Sequence, residues 1–453
     1  MLFSKKILTV AMASTLAVSS LAINHVSADN EDDNEIRNVI FLIGDGMGNS
    51  YTTAYRAMKD DKNTPMMEET KFDKYLVGMQ STYSWDTEES ITDSAAAATS
   101  MSAGIKTYNG AIAVDMEKKD VKTVLEQAKE NGKSTGLVAT SQINHATPAA
   151  FGSHDESREN YNAIANDYYD DLINGKHKVD VLLGGGTSYF VRKDRDITKE
   201  FQKDGYSYVT TRDQMLKDKN EQILGLFAPK GLEKKIDRPA EQPSLKEMTN
   251  TALDRLNQNK NGFFLMVEGS QIDWAGHDND VVSAMSDMED FEQAFQSAID
   301  FAKKDKHTLV IATADHSTGG MAMGRDGVYK WDPTAIKAAK KTPDFMAKKI
   351  AAGAPVEETL KNNIDLELTA EEIQSVKDAK EKSGKVLDID NAIEKIFDLR
   401  TGTGWTTDGH TGEDVTVYAY GPGMEKFAGK IDNTDTAKEI FAILKRSKSA
   451  IND

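Results

Sequence analysis

Short apolar runs recur along the chain, and several end in glycine or an acidic residue. Arg37-Asn38-Val39-Ile40-Phe41-Leu42-Ile43 closes on Gly44-Asp45-Gly46, and Asp180-Val181-Leu182-Leu183 on Gly184-Gly185-Gly186. Phe263-Phe264-Leu265-Met266-Val267 runs into Glu268-Gly269, and Thr308-Leu309-Val310-Ile311-Ala312 into Asp315-His316. Ser134 to Thr140 is a further run. These runs predict buried strands. Helical periodicity intervenes over Val121 to Lys129, stopped by Asn131-Gly132, and over Val281 to Ala302. Strands alternating with helices predict an α/β fold with a large, mostly parallel central sheet and helices on both faces. Ligands bind such sheets beyond the carboxyl ends of the strands, where Asp45, Glu268, Asp315 and His316 fall.

From about 326 to 400 the pattern changes. Lys and Glu are dense and strand signals few, and Thr342-Pro343 and Thr369 with Glu372 read as helix starts. This stretch is expected to be a helical insertion before a final strand, Val415 to Tyr420. Residues 1–28 resemble a secretory signal peptide, with Lys5 and Lys6, an apolar run from Ile7 to Ile23, and the small-residue end Val26-Ser27-Ala28. A retained membrane anchor is the other reading of that run, but it is short and broken by Ser. Residues 29–453 are then expected to form one secreted, extracellular domain without stable membrane insertion.

Composition narrows the chemistry. The 453 residues contain no Cys, so any metal is held by His, Asp, Glu or hydroxyl groups, which suits Zn²⁺ and Mg²⁺. The net charge is −18, and removing Lys5 and Lys6 with the leader takes it to −20. Such a surface repels nucleic acid, and no nucleic-acid partner is expected. A small anionic substrate is still compatible, because local metal charge outweighs a screened distant field.

Asp273 and His277 are four apart and share a helix face, so both can reach one metal. Asp315 and His316 are adjacent and can share a metal only from the loop beyond their strand. His410, between Gly409 and Thr411-Gly412, is expected on an exposed turn. Each feature alone is weak, and together they suggest a metallohydrolase. Ser94 precedes the run Ala95-Ala96-Ala97-Ala98. Asp93 or Ser94 there suits an N-cap, a common structural use. Ser94 also suits a nucleophile, since a helix N-terminus favours an alkoxide and a bound phosphate. No Ser-His base pair stands nearby in sequence, so activation would come from a metal.

These segments resemble the alkaline phosphatase family. Gly44-Asp45-Gly46-Met47-Gly48, Thr92-Asp93-Ser94-Ala95, Ala146-Thr147-Pro148-Ala149-Ala150 with Arg158, Val267 through His277, Thr313-Ala314-Asp315-His316 and Gly409-His410-Thr411-Gly412 follow the family's order. The likeness covers nearly all of the chain after the leader except about 326–400. It implies two Zn²⁺ and one Mg²⁺ per chain. Asp273, His277 and His410 would hold the first zinc, and Asp45, Asp315 and His316 the second, with Ser94 completing it. Asp45, Thr147 and Glu268 would hold magnesium. It further implies hydrolysis of phosphate monoesters at alkaline pH through a phosphoserine at Ser94, opened by a zinc-held hydroxide. Arg158 would grip the phosphate and Asp93 orient Arg158. A homodimer is the common state of similar proteins.

Two positions depart from the enterobacterial pattern. His145 replaces an Asp near the magnesium, and Trp274 a Lys that reaches phosphate through water. Both fit a subfamily difference. They also fit a third metal site less selective for Mg²⁺, and a Trp274 that packs on the substrate's organic group. A phosphodiesterase or cofactor-independent phosphoglycerate mutase of the same superfamily shares the metal ligands but not the Asp93-Ser94-Ala95 and Arg158 combination. A metal- or phosphate-binding protein without turnover is the reading from another class.

Overall fold

Val39, Phe41 and Ile43 bury on one face of their strand, and Ile40 and Leu42 bury on the other. Leu265 and Val267 likewise oppose Phe264 and Met266, and Val310 opposes Leu309 and Ile311. Successive side chains of a strand point to opposite faces, so an unbroken apolar run requires a core on each side of the sheet. The computed structural model, which describes residues 35–450 with the side chains of 446–450 excepted, has that layout. The expected leader, residues 1–28, lies outside the described residues.

A ten-stranded sheet runs in the order Gly429–Asp432, Leu76–Ser81, Val415–Tyr420, Thr308–Thr313, Asn38–Gly44, Phe263–Gly269, Ser134–Gln142, Val181–Gly185, Ile223–Leu226, Ser207–Val209. Val415–Tyr420 alone runs antiparallel to its neighbours there. It is also not the final strand, since Gly429–Asp432 follows and pairs parallel to Leu76–Ser81. Asn38–Gly44 sits between Phe263–Gly269 and Thr308–Thr313, with Ile43 opposite Glu268 and Thr313. This register brings Asp45, Glu268 and Asp315 together at the carboxyl ends of three adjacent central strands.

The helix expected from Val121 begins three residues later, as Val124–Glu130. Thr123 fixes the start: it accepts from the Glu126 N–H while the Glu126 carboxylate accepts from the Thr123 N–H, satisfying two otherwise unpaired donors. The same reciprocal pair links Thr369 and Glu372 at the head of Ala370–Lys382, and Thr342 caps Pro343–Ala351. Five helices occupy this region: Thr334–Ala338, Pro343–Ala351, Val356–Asn363, Ala370–Lys382 and Val386–Thr401. Ile350, Leu360, Val376, Ile393 and Phe397 from them join one core with Val281, Met285 and the sheet residues Ile40 and Leu42. The region is therefore packed into the main body. Among the described residues no helix is long and apolar enough to cross a membrane.

Candidate active site

Asp45 lies in the turn after its strand, which is stitched to the neighbouring loop by the Gly46 N–H donating to Asp315 Oδ1 at 3.0 Å. Asp315 and His316 lie just past Thr308–Thr313, in the loop where they were expected. Asp45, Glu268, Asp315 and His316 are all fully buried.

Ser94 is the first residue of Ser94–Ala103 and almost wholly inaccessible. Asp93 is its N-cap and does more than cap. Oδ1 accepts from the Ala96 N–H at 2.9 Å, while Oδ2 accepts from the Gly110 N–H and from Arg158 Nη1, both at 3.0 Å. Asp93 therefore caps the helix and holds Arg158 with the same carboxylate. Ser94 Oγ is 3.1 Å from His316 Nε2. That imidazole also lies 3.2 Å from Asp315 Oδ2 and 3.5 Å from Asp45 Oδ1.

Asp273 and His277 share the face of Gln271–His277 that meets His410. His410 is not on an exposed turn: it pairs with Thr318 in a two-residue antiparallel ladder, and its side chain is only 14% exposed. His277 Nδ1 is 2.6 Å from the Asp408 carbonyl, and His410 Nδ1 is 2.8 Å from the Thr92 carbonyl. A carbonyl only accepts, so each Nδ1 carries a proton, and in the neutral ring that leaves the lone pair on Nε2. Burial and the neighbouring His316 push His410 down to about 4, which keeps it neutral. The two Nε2 atoms nevertheless face one another at 3.2 Å, with Asp273 Oδ1 3.4 Å and 3.6 Å away. Two lone pairs and a carboxylate oxygen converging on one point form a ligand set for a cation.

Two further groups have ligand atoms within 4.8 Å of one another: Asp45 with Asp315 and His316, and Asp45 with His145 and Glu268. His316 also lies within that reach of Asp273 and His410. Both Asp45 oxygens, Asp315 Oδ2, Glu268 Oε1, His145 Nδ1 and Thr147 Oγ1 are buried without a hydrogen-bond partner among the described residues. Burial and the charges of Asp315, Asp273 and Glu268 push Asp45 well above the usual carboxylate range, and burial pushes Glu268 up to about 7. Unpaired buried carboxylates are costly unless a cation compensates them. The residues present therefore fit bound metal, and the oxygen and imidazole donors suit Zn²⁺ and Mg²⁺.

His145 bridges this region to Arg158. Its Nε2 accepts from Arg158 Nη2 at 3.3 Å, and burial and that guanidinium push it down to about 3. The half-buried Trp274 ring stands edge-on to His145, with centroids 5.8 Å apart and planes at 85°. Thr318 was not anticipated. Its hydroxyl donates to Asp273 Oδ1 at 2.5 Å and lies 3.2 Å from His316 Nδ1, tying two ligand groups together. Two-residue spacing from His316 was the available signal. The Thr92 and Asp408 carbonyls that orient the histidines carry no side-chain signal.

Comparison with known proteins places the sequence and the fold in one family. The sequence model described as alkaline phosphatase matches residues 36–446. Alkaline phosphatase 3 of Bacillus subtilis (strain 168) is 66% identical over 451 residues, covering 98% of this chain and 97% of that protein. The crystal structure of a cold-active alkaline phosphatase from the psychrophile Shewanella sp. superposes with a TM-score of 0.84 at 41% identity, covering 90% of this chain and 99% of that one. The alkaline phosphatase of the Antarctic bacterium TAB5, in a variant with Asp in place of a His and Mg bound in its M3 site, gives a TM-score of 0.65 at 29% identity, covering 92% and 99%. Sheet, buried acids and sequence kinship agree: the chain belongs to the alkaline phosphatase family, enzymes that hydrolyse phosphate monoesters.

Proposed function

We propose that this chain hydrolyses phosphate monoesters through a phosphoserine formed on Ser94. The observation that carries the proposal is the buried Ser94 Oγ at a helix N-terminus, with the preceding residue, Asp93, anchoring Arg158. The helix end favours both the alkoxide and the incoming phosphate. Asp93 engages Nη1 of Arg158, and the planar guanidinium has further N–H groups for two phosphate oxygens. In the first step Ser94 gives its hydroxyl proton to water, its O–P bond forms as the ester O–P bond breaks, and the departing alkoxide takes a proton from water. In the second, water attacks phosphorus from the opposite side and gives up a proton, the Ser94 O–P bond breaks, Ser94 Oγ takes a proton back, and inorganic phosphate leaves.

Asp273, His277 and His410 would hold one Zn²⁺, Asp45, Asp315 and His316 another, and Asp45, Thr147 and Glu268 a Mg²⁺. Bound there, such ions would supply positive charge at the entering and leaving oxygens of an in-line displacement. His145 bears on the third position, and its unpartnered Nδ1 supports a tolerance for Zn²⁺ or Co²⁺ there. Trp274, half-buried beside His145, would pack on the substrate's organic group. The leader-like Lys5, Lys6 and the run to Ala28 support export with cleavage before Asp29, which N-terminal sequencing of secreted protein checks.

The decisive assay is phosphate release from a simple aryl phosphate at alkaline pH, before chelation, after chelation, and after zinc and magnesium are returned. Activity that vanishes and returns, with phosphate trapped on Ser94 in acid-quenched enzyme, is the expected result. Cleavage of a bis-aryl phosphate alone would make the enzyme a phosphodiesterase.

A further inference from the structure

A second set of acids converges beside the active site, at the C-terminal end of Gln271–His277. Asp278 is the residue after His277, and Asp390 and Glu394 lie four apart on Val386–Thr401, on one face of that helix. Oxygens of all three lie within 4.8 Å of one another. Asp390 and Glu394 are only 3% and 6% exposed. Asp390 Oδ1 and Glu394 Oε1 have no hydrogen-bond partner among the described residues.

The surrounding charge does not compensate them. Lys234 Nζ is 3.3 Å from Asp278 Oδ2 and 4.0 Å from Asp280 Oδ2. Asp280 is itself occupied in capping Val281–Asp305 through the Val282 and Ser283 N–H groups. Asp344, which also faces Asp390, pairs with Lys348. Lys234 is thus set against Asp278, Asp280, Asp390 and Glu394. Burial and these neighbouring charges push Asp390 up to about 8 and Glu394 up to about 11. Burying such acids together without a countercharge is strongly unfavourable.

We propose that Asp278, Asp390 and Glu394 hold a hard divalent cation, Ca²⁺ or Mg²⁺, separate from the active-site metals. The donors are all carboxylate oxygens, which suits these ions and disfavours zinc. A cleft lined by Lys234, Trp274, His277, Val386 and Leu387 reaches Asp278 and Asp390 and gives the ion a path inward. Bound there, the cation pins Val386–Thr401 to the residue after His277, so the helical region fixes one wall of the active site. The proposal does not depend on the active-site metal assignments.

The test uses the full holoenzyme, loaded with zinc and then dialysed against Ca²⁺ or Mg²⁺ in separate arms, beside the isosteric double variant Asp390→Asn/Glu394→Gln treated identically. The wild type should retain one more Ca²⁺ or Mg²⁺ per chain than the variant at equal zinc. It should melt about 3 °C higher when the free cation is about a hundredfold above its dissociation constant, and the variant should not respond. The arm in which the ion is retained identifies it. If the double variant does not fold, Asp278→Asn, whose side chain is 34% exposed, carries the same comparison. Equal ion content in wild type and variant overturns the proposal. So does a variant that melts above a cation-indifferent wild type, which would mean that the acids are simply protonated.

Discussion

Gly46 sits at φ +70° in the turn that carries Asp45, with the segments of Asp273 and Thr318 packed against it. A β-carbon there would lie 2.7 Å from Asp273 Cα, 2.7 Å from Thr318 Oγ1 and 2.9 Å from Asp273 Cβ, where ordinary contact begins at 3.4 Å. Something must give by about 0.7 Å, and two of the three obstacles belong to a candidate metal ligand. Gly46→Ala therefore incurs about 1 kcal/mol for a left-handed alanine and about 1–3 kcal/mol for overpacking. Gly175, at φ +73° with nothing within 4 Å, is the control, since its alanine variant carries only the first cost. Catalytic constellations tolerate displacements of about 0.5 Å. Gly46→Ala should thus lose activity by about tenfold or more and release zinc faster to a chelator. The assay is thermal melting of both variants, with zinc retention and kcat/KM measured alongside. Equal destabilisation of the two, with unchanged zinc retention, would refute the packing argument.

Ser94→Ala should lower kcat by at least about a thousandfold. Its stability should stay within about 1 kcal/mol, because one lost hydrogen bond is partly offset by alanine's better helix propensity; retained turnover with no phosphoserine would remove Ser94 from the mechanism. His145→Asp places a carboxylate beside Asp45 and Glu268 and should sharpen the dependence of activity on Mg²⁺ over Zn²⁺ or Co²⁺, and superimposable magnesium titrations would count against that role. The Glu126–His154 pair, 2.8 Å apart, gives a pH signature from residues outside the candidate ligand groups. Burial lowers the His154 pKa, but the hydrogen bond and charge of Glu126 leave it raised above 6.5; burial raises Glu126, but His154 and Lys178 leave it lowered below 4.5. The histidine's contribution is complete below 6.5 and fades as pH rises through its raised value. The glutamate's is complete above 4.5 and fades as pH falls through its lowered one. Glu126→Gln should therefore depress the melting temperature more at pH 6 than at pH 9, and an equal loss at both would contradict the pairing.

The strands at Asn38–Gly44, Phe263–Gly269 and Thr308–Thr313 were legible because both faces are covered, which turns strand periodicity into an unbroken apolar run. Leu76–Ser81 escaped notice because it is mostly half-exposed and mixes Gly78 and Gln80 with apolar residues, and Gly429–Asp432 because it is a short exposed edge strand. The site residues were legible as motifs, yet the geometry that makes them a site was not. Ordinary spacing could relate Asp273 to His277, but not His410 to the Thr92 carbonyl or Thr318 to Asp273. Asp278, Asp390 and Glu394 gave no sequence signal, since helix packing alone brings residue 278 to residue 390.

The ladder that seats His410 against Thr318 has a consequence for synthesis. His410 belongs to the last tenth of the chain, and its anchor on Thr92 spans 318 residues; Ser94 and His316 are 222 apart. Contacts so distant in sequence form late and slowly, because long loops must close before any contact rewards them. A nascent or truncated chain that stops before residue 410 can build most of the sheet while its Asp273 and His277 still lack their third partner. The arrangement of Asp273 and His277 with His410 is therefore a property of the nearly finished chain.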